Sequence, residues 1–233
     1  HYVGFMRVLN GISQEYHGSW VLPTGLDSPL VDLLGVRYVV VPAIASPDRP
    51  EIERLARVWP VVYRDADVRV LENLGAFPRA WLVHGTVPGG ADALAKGIAD
   101  GSLDLRTEAV VDSAVPNLGP SSDPSAERVT VTHYSPNAMS VQVTANVPAL
   151  LVTSEVDYPA WQAYVDDKPV DTVRANVAFR AVAVSPGTHT VEFRYESTAL
   201  NAGLLLSGTG YLGAFAMAGL VVKGRVRRSR WVR

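Results

Sequence analysis

The sequence predicts an α+β protein, with a small mixed α/β domain followed by an immunoglobulin-like β-sandwich and one C-terminal transmembrane helix. Three observations support this prediction. A β-branched strand pattern lies in the first half of the chain, and about seven short strands of alternating polarity follow in the second half. The stretch Ala199–Val222 then runs for 24 residues without a charged side chain.

We expect six segments in chain order. They are an irregular connecting segment at 1–27, an α+β domain at 28–114, a linker at 115–126, a β-sandwich at 127–197, a transmembrane helix at 199–222 and a basic cytoplasmic tail at 223–233.

The first domain is predicted from capping residues and from one apolar run. Residues 1–27 show no sustained period of 2 or 3.6, which is typical of irregular structure. Ser28 predicts a helix N-cap, with Pro29 at the first helical position and Gly35 just past the end. Val36–Val41 is almost continuously β-branched, so we expect a strand that is covered on both faces.

The linker and the sandwich are predicted from a change in composition. Val115–Ser125 holds three prolines among Ser, Gly and Asn, which favours a linker. The strands after it alternate between apolar and polar positions. In the first of these strands, one side is predicted to carry Val129, Val131 and His133 and the other Thr130, Thr132 and Tyr134.

The uncharged stretch at 199–222 is long enough to cross a bilayer. At 1.5 Å per residue it covers about 36 Å, against a hydrocarbon core of about 30 Å. Six basic residues and no acidic residue follow it, and short basic tails stay in the cytoplasm. The preceding part, which holds all 23 acidic residues, is then extracytoplasmic. A buried helix of a soluble domain and a tail-anchored protein with its bulk in the cytoplasm are the alternatives.

This orientation predicts the partners of the chain. Residues 1–25 carry no export signal, so we expect the chain to be the C-terminal end of a longer membrane protein. Its partners would be the lipid bilayer and the remaining transmembrane part of the same protein. No basic patch precedes the final helix, so we expect no nucleic acid partner, and no motif calls for a cofactor.

Aromatic residues near Asp157 are the first candidates for ligand contact. Tyr158, Trp161 and Tyr164 could stack on sugar rings, while Asp157 could accept hydrogen bonds from hydroxyl groups. The alternative is that Trp161 is the core tryptophan of the sandwich. The neighbouring pair of acids at Asp166 favours a hairpin turn over a carboxylate site.

Asn176 and Arg180 are the second candidates. The guanidinium of Arg180 could bind a phosphate or a carboxylate. The alternative is an ion pair with Glu155 or Asp157 across the sheet. The histidines are scattered without ligand spacing, so we expect no metal site.

Four stretches of the chain resemble the C-terminal region of YfhO-like bacterial membrane proteins, which are related to the C-type glycosyltransferase superfamily. In this sequence they are LLGVRYVVV at Leu33–Val41, VRVLENLGAFPRAWLV at Val68–Val83, YPAWQAYVDDKPV at Tyr158–Val170 and NVAFRAVAVSPGTHTVEFRY at Asn176–Tyr195. One position departs from the pattern, since Asp167 stands where the family more often has Gly in a tight turn, and we expect a less regular hairpin there.

The resemblance implies a role in envelope glycosylation, in which a sugar moves from a polyprenyl-phosphate donor to a surface polymer. It also implies that the catalytic residues lie in an earlier extracytoplasmic loop, so none is assigned here and the enzymatic activity of this part stays uncertain. The alternatives are a non-enzymatic, membrane-anchored glycan-binding or structural module and the ectodomain of a lipid-linked sugar transporter.

Overall fold

A computed structural model describes residues 2–12, 20–115, 118–121 and 123–229, with the side chains after residue 218 outside that description. The helices are α1 (Tyr2–Asn10), α2 (Leu30–Leu33), α3 (Pro50–Val58), α4 (Ala91–Ala99) and α5 (Thr198–Ser229), with short 3-10 turns at Gly25–Asp27 and Pro124–Ala126.

Fourteen strands are present in the described residues. They are β1 (Tyr38–Pro42), β2 (Val61–Arg64), β3 (Val68–Glu72), β4 (Ala80–Val83), β5 (Gly85–Pro88), β6 (Glu108–Val111), β7 (Arg128–Ser135), β8 (Ala138–Ala145), β9 (Ala149–Val156), β10 (Trp161–Val165), β11 (Lys168–Val170), β12 (Val173–Ala175), β13 (Phe179–Val184) and β14 (Gly187–Tyr195).

A six-stranded sheet of order β4-β9-β13-β12-β6-β5 forms the middle layer of the protein. One face packs on a five-stranded sheet of order β11-β10-β14-β8-β7. The other face packs on α1, α2 and α4. Because both faces are covered, its central strands are apolar almost throughout, as Leu150, Leu151 and Val152 illustrate with no exposed surface.

A three-stranded sheet of order β1-β3-β2 forms a separate small core with α3. The inward side chains are Val41, Ile52, Leu55 and Leu71. The other face is open, since Val40 is 65% exposed. The prediction that Val36–Val41 is covered on both faces is therefore wrong. An apolar run indicates a strand, but it does not report what packs on the second face.

The predicted irregular segment at 1–27 contains α1. Tyr2, Phe5, Met6 and Leu9 follow the i, i+3, i+4, i+7 spacing of one helix face. The last three of these residues are buried in the core beneath the six-stranded sheet. Nine residues are too few for a period to stand out against the scattered glycines that follow.

The six-stranded sheet includes strands from both sides of the predicted linker at 115–126. Trp81 of β4 pairs with Val152 of β9, and Val111 of β6 pairs with Ala175 of β12. The segments predicted as two domains, at 28–114 and 127–197, therefore share one sheet and one core. Sequence composition located the connecting segment but could not reveal the long-range strand pairing.

The two facing sheets form a β-sandwich, but their strand order differs from that of an immunoglobulin domain. In the immunoglobulin order the last two strands are neighbours in one sheet. Here β14 lies between β10 and β8, while β13 lies between β9 and β12 in the other sheet.

Helix α5 belongs to a second compact unit that begins at Tyr195. Ser197 begins the helix, because its Oγ accepts a hydrogen bond from the Leu200 N–H at 3.1 Å. The large apolar side chains described on α5 are exposed, namely Leu200, Leu204, Leu205, Leu206, Tyr211, Leu212, Phe215 and Met217.

The transmembrane helix predicted at 199–222 is not shown by the structure. Among the described residues, no helix has both the length and the apolar character needed to cross a membrane. The side chains of the final predicted residues, 219–222, and of the basic tail at 223–233 lie outside the description.

Candidate functional site

Arg180 is the most unusual buried side chain at one end of the β-sandwich. It is the second residue of β13 and is only 1% exposed. Because side chains alternate along a strand, Arg180 shares with Val182 and Val184 the face that packs on the five-stranded sheet. A charged group therefore lies between the two sheets.

Aromatic rings surround this guanidinium. Its central carbon, Cζ, lies 3.9 Å from the ring centroid of Trp161 and 5.4 Å from that of Phe193. The first distance is within the range of a cation–π interaction. The structure thus supports the alternative for Trp161, whose ring packs against the core between the sheets.

Glu155 is the nearest carboxylate, at 3.9 Å between its Oε2 and Arg180 Nη2. That distance is longer than a hydrogen bond. The other oxygen, Oε1, accepts hydrogen bonds from Arg79 and, at 3.0 Å, from the Tyr134 hydroxyl. Burial and this last hydrogen bond raise the pKa of Tyr134. Glu155 is therefore held mainly by Arg79 and Tyr134.

Two donors of Arg180 are left without acceptors. Within the described residues, its Nε and Nη1 are buried and have no hydrogen-bond partner. Burial accordingly lowers the pKa of this guanidinium, although nearby acidic groups act in the opposite direction. What this site can offer chemically is a pair of strong hydrogen-bond donors for an oxygen atom.

Asn176 and Asp157, two other predicted contacts, make polar contacts within the protein. Asn176 is fully buried, and its Oδ1 accepts a hydrogen bond from the Val110 N–H at 2.9 Å. The carboxylate of Asp157 is bound by Arg174 at 3.1 Å. The Asn176 Nδ2, in contrast, is a buried donor without a hydrogen-bond partner among the described residues.

Tyr158 and Tyr164 lie apart from Arg180. Tyr158 is 61% exposed, on the turn that precedes β10. The ring of Tyr164 lies under Arg194, with 4.6 Å between the guanidinium carbon and the ring centroid. Tyr164 and Trp161 differ by an odd number of positions in one strand, so they project from opposite faces of the sheet. The three predicted aromatics therefore do not form one stacking surface.

Two residues of this cluster, Arg79 and Tyr134, were missed in the sequence. An irregularity in the pairing of β7 and β8 between Val131 and His133 inserts one extra residue. Tyr134 is thereby paired with the buried Met139 and not placed on the predicted polar side. No local pattern in the sequence signals this bulge.

The hairpin at Asp166 is more regular than expected. Asp166 and Asp167 have φ values of 49° and 63°, between the paired residues Val165 and Lys168. This is the type I′ geometry of a two-residue hairpin. The predicted turn is confirmed, and Asp167 adopts the left-handed conformation in which the family more often has Gly. Among the described residues, no group of three or more His, Cys, Asp or Glu could hold a metal ion.

Comparison with known proteins supports the resemblance seen in the sequence. The family model described as bacterial membrane protein YfhO matches residues 110–207. This range covers all strands from β7 to β14 and the first residues of α5. The match supports association of the protein with a membrane. No curated protein and no solved structure matches the chain.

Proposed function

Because residues 110–207 form a YfhO-like region, we propose that the chain is the C-terminal extracytoplasmic part of a multi-spanning bacterial membrane protein that takes part in glycosylation of a cell-envelope polymer. In this proposal the chain supports or guides the acceptor near the membrane, while sugar transfer from a polyprenyl-phosphate donor takes place in an earlier part of the protein. The match over 110–207 carries the proposal.

The surface of α5 agrees with a membrane location. Its exposed apolar side chains include Leu204, Leu212 and Phe215, each more than 60% exposed. A helix that exposes apolar residues all round needs an apolar surrounding. We therefore propose that α5 associates with the bilayer, with the basic tail at 223–233 on the cytoplasmic side.

The orientation can be tested by labelling single cysteines. The chain itself has no native cysteine, so only cysteines in the rest of the parent protein have to be replaced first. Thr130→Cys places a thiol on an exposed position of β7, and Ser229→Cys places one at the end of α5. In intact cells, a membrane-impermeant maleimide should label the first variant and should reach the second only after permeabilisation. The reverse pattern would overturn the proposed orientation.

The glycosylation role needs a separate measurement in cells. Removing the parent protein should lower the glycosyl content of one envelope polymer, and restoring the intact protein should recover it. An unchanged polymer with correct topology would instead favour the non-enzymatic alternatives, a membrane-anchored binding module or the ectodomain of a lipid-linked sugar transporter.

Contact of this end of the sandwich with glycan also stays a proposal. Of the six predicted residues, Tyr158 offers the largest exposed surface. Tyr158→Ala should leave stability nearly unchanged, because the side chain is largely in water. A loss of polymer glycosylation in this variant would support the contact, and full activity would remove Tyr158 from the site.

A further inference from the structure

A cleft of about 400 Å³ lies between α3 and the segment that leads into α2. It is far from Arg180 in the sequence, and no residue of it belongs to the predicted site. Its polar and aromatic lining comes from Asp27, Ser28, Asp32, Arg54 and Trp59. The volume falls within the range of small-molecule sites.

The mouth of the cleft holds an ion pair with both partners partly exposed. Arg54 Nη2 lies 2.6 Å from Asp27 Oδ2, and the two side chains are 51% and 48% exposed. Such a pair contributes little to stability. It does, however, place the planar guanidinium of Arg54, which donates hydrogen bonds, beside the planar carboxylate of Asp27, which accepts them.

The lining also includes further polar groups and an aromatic ring. The N-cap of α2 is Pro29 and not the predicted Ser28. The Oγ of Ser28 accepts a hydrogen bond from the Leu30 N–H at 3.3 Å, and its own O–H is still able to donate. Asp32 Oδ1 accepts a hydrogen bond from Asn73 at 2.6 Å, which fixes the carboxylate in place. Trp59 is half-buried at the end of α3. The cleft therefore combines fixed acceptors, donors and an apolar ring.

We propose that this cleft binds a neutral glycosyl unit of the envelope polymer. Neighbouring sugar hydroxyls both donate and accept, so they match an adjoining carboxylate and guanidinium, and the apolar face of a sugar ring suits an indole. Asp27 and Asp32 outnumber Arg54, which disfavours a phosphate or another anion. The choice of a sugar over other polyhydroxyl compounds rests on the proposed glycosylation role.

A second cavity of about 210 Å³ shares the lining residues Pro29 and Asp32 with the cleft. Asp104 and Arg106 line this second part. The shared carboxylate of Asp32 lies where two consecutive units of a chain would meet. The proposed ligand is therefore a segment of at least two glycosyl units, with one unit in each cavity.

Binding can be measured on the 233-residue chain in detergent micelles by saturation-transfer NMR. The probes are the methyl glycosides of glucose, galactose, mannose and N-acetylglucosamine, the disaccharides cellobiose and diacetylchitobiose, and glucose 1-phosphate. We expect at least one neutral glycoside to bind, its disaccharide to bind more tightly, and the phosphate to bind more weakly than methyl glucoside.

Exposed ion pairs supply matched variants that leave the fold intact. Asp27→Asn and Arg54→Gln should each weaken binding about tenfold, the expected loss for a hydrogen bond to a charged group. Asp92→Asn disrupts the comparable exposed pair with Arg7, at 2.8 Å, outside the cleft. This control should bind as the wild type does.

Several results would overturn the inference. They are no binding by any glycoside, preferential binding of glucose 1-phosphate, or equal affinity in the two cleft variants and the control. Equal affinity for mono- and disaccharide would overturn the two-unit segment. These outcomes are separate from the cysteine-labelling result, so a cleft that binds no sugar leaves the proposed membrane orientation standing, and the converse also holds.

Discussion

Replacing Arg180 with Met should stabilise the protein, although it removes a charge that contacts a carboxylate. The guanidinium is 1% exposed, and two of its donors have no acceptor within the described residues. Glu155 would not be left uncompensated, because Arg79 and Tyr134 continue to donate to it. Met fills a similar volume and needs no hydrogen bonds.

The magnitude follows from the opposing contributions. Each buried donor without a partner costs about 1–3 kcal/mol. In the opposite direction, the desolvated cation–π contact with Trp161, at 3.9 Å, stabilises the folded state by about 2 kcal/mol. The difference predicts that Arg180→Met raises the free energy of unfolding by about 2 kcal/mol, within the range known for apolar replacements of buried charges.

The assay is urea unfolding followed by far-UV circular dichroism in a mild detergent. The midpoint should rise with no change in the slope m, because the surface exposed on unfolding is nearly the same. A matched control is Arg174→Met, since Arg174 is opposite Arg180 in the β12–β13 pairing and is bound to both Asp157 and Asp112. That control should destabilise the protein. If Arg180→Met destabilises it equally, the reasoning about unpaired donors is refuted.

Three further predictions concern the turns and strands of the sandwich. Ala160→Gly should stabilise the protein by about 1 kcal/mol, because Ala160 has a φ of 81°, a conformation that glycine adopts more readily. Thermal unfolding measures this gain. As a control, Ala163→Gly inside β10 should lower stability. Trp161→Ala should cost about 3 kcal/mol through lost packing in the core between the sheets, measured by the same urea titration. The hydrogen bond from His189 lowers the pKa of Asp166. The wild type should therefore be more stable than Asp166→Asn above about pH 4. This advantage should vanish as the pH falls through the lowered pKa. Thermal midpoints of both proteins across this pH range test the sign, and an advantage that persists in strong acid would contradict it.

Local signals predicted the second half of the chain well. The apolar and polar alternation of Met139, Val141 and Val143 with their neighbours matches β8, whose three apolar side chains are buried. The predicted turn at Asp166 is also confirmed. These features depend on residues a few positions apart, and such local patterns can be recognised in a single sequence.

The sequence does not indicate which distant strands pair with each other. Nothing near Trp81 indicates that β4 will pair with β9, some 70 residues later. For the same reason the sequence predicts two domains, one on each side of the linker. The prediction that Tyr134 lies on the polar side of its strand is wrong for a related reason. The bulge in β7 that moves it is defined only by pairing with β8. Asn176 and Arg180 are candidate contacts in the sequence, but their burial depends on strands that the sequence does not pair.

Several energetically unfavourable features lie together at the end of the sandwich around Arg180. In the described residues, Ala160, Asn176 and Val177 have positive φ values although none is glycine, and Val177 is β-branched, for which this conformation is especially unfavourable. The Asp157 N–H donates to the Ala178 carbonyl oxygen at 2.6 Å and joins the two strained turns. Strained backbone and unpaired donors in one place are typical of functional sites. If Arg180→Met gains stability and loses polymer glycosylation, these costs serve function; if it gains stability and keeps full activity, they are only a tolerated imperfection of the fold.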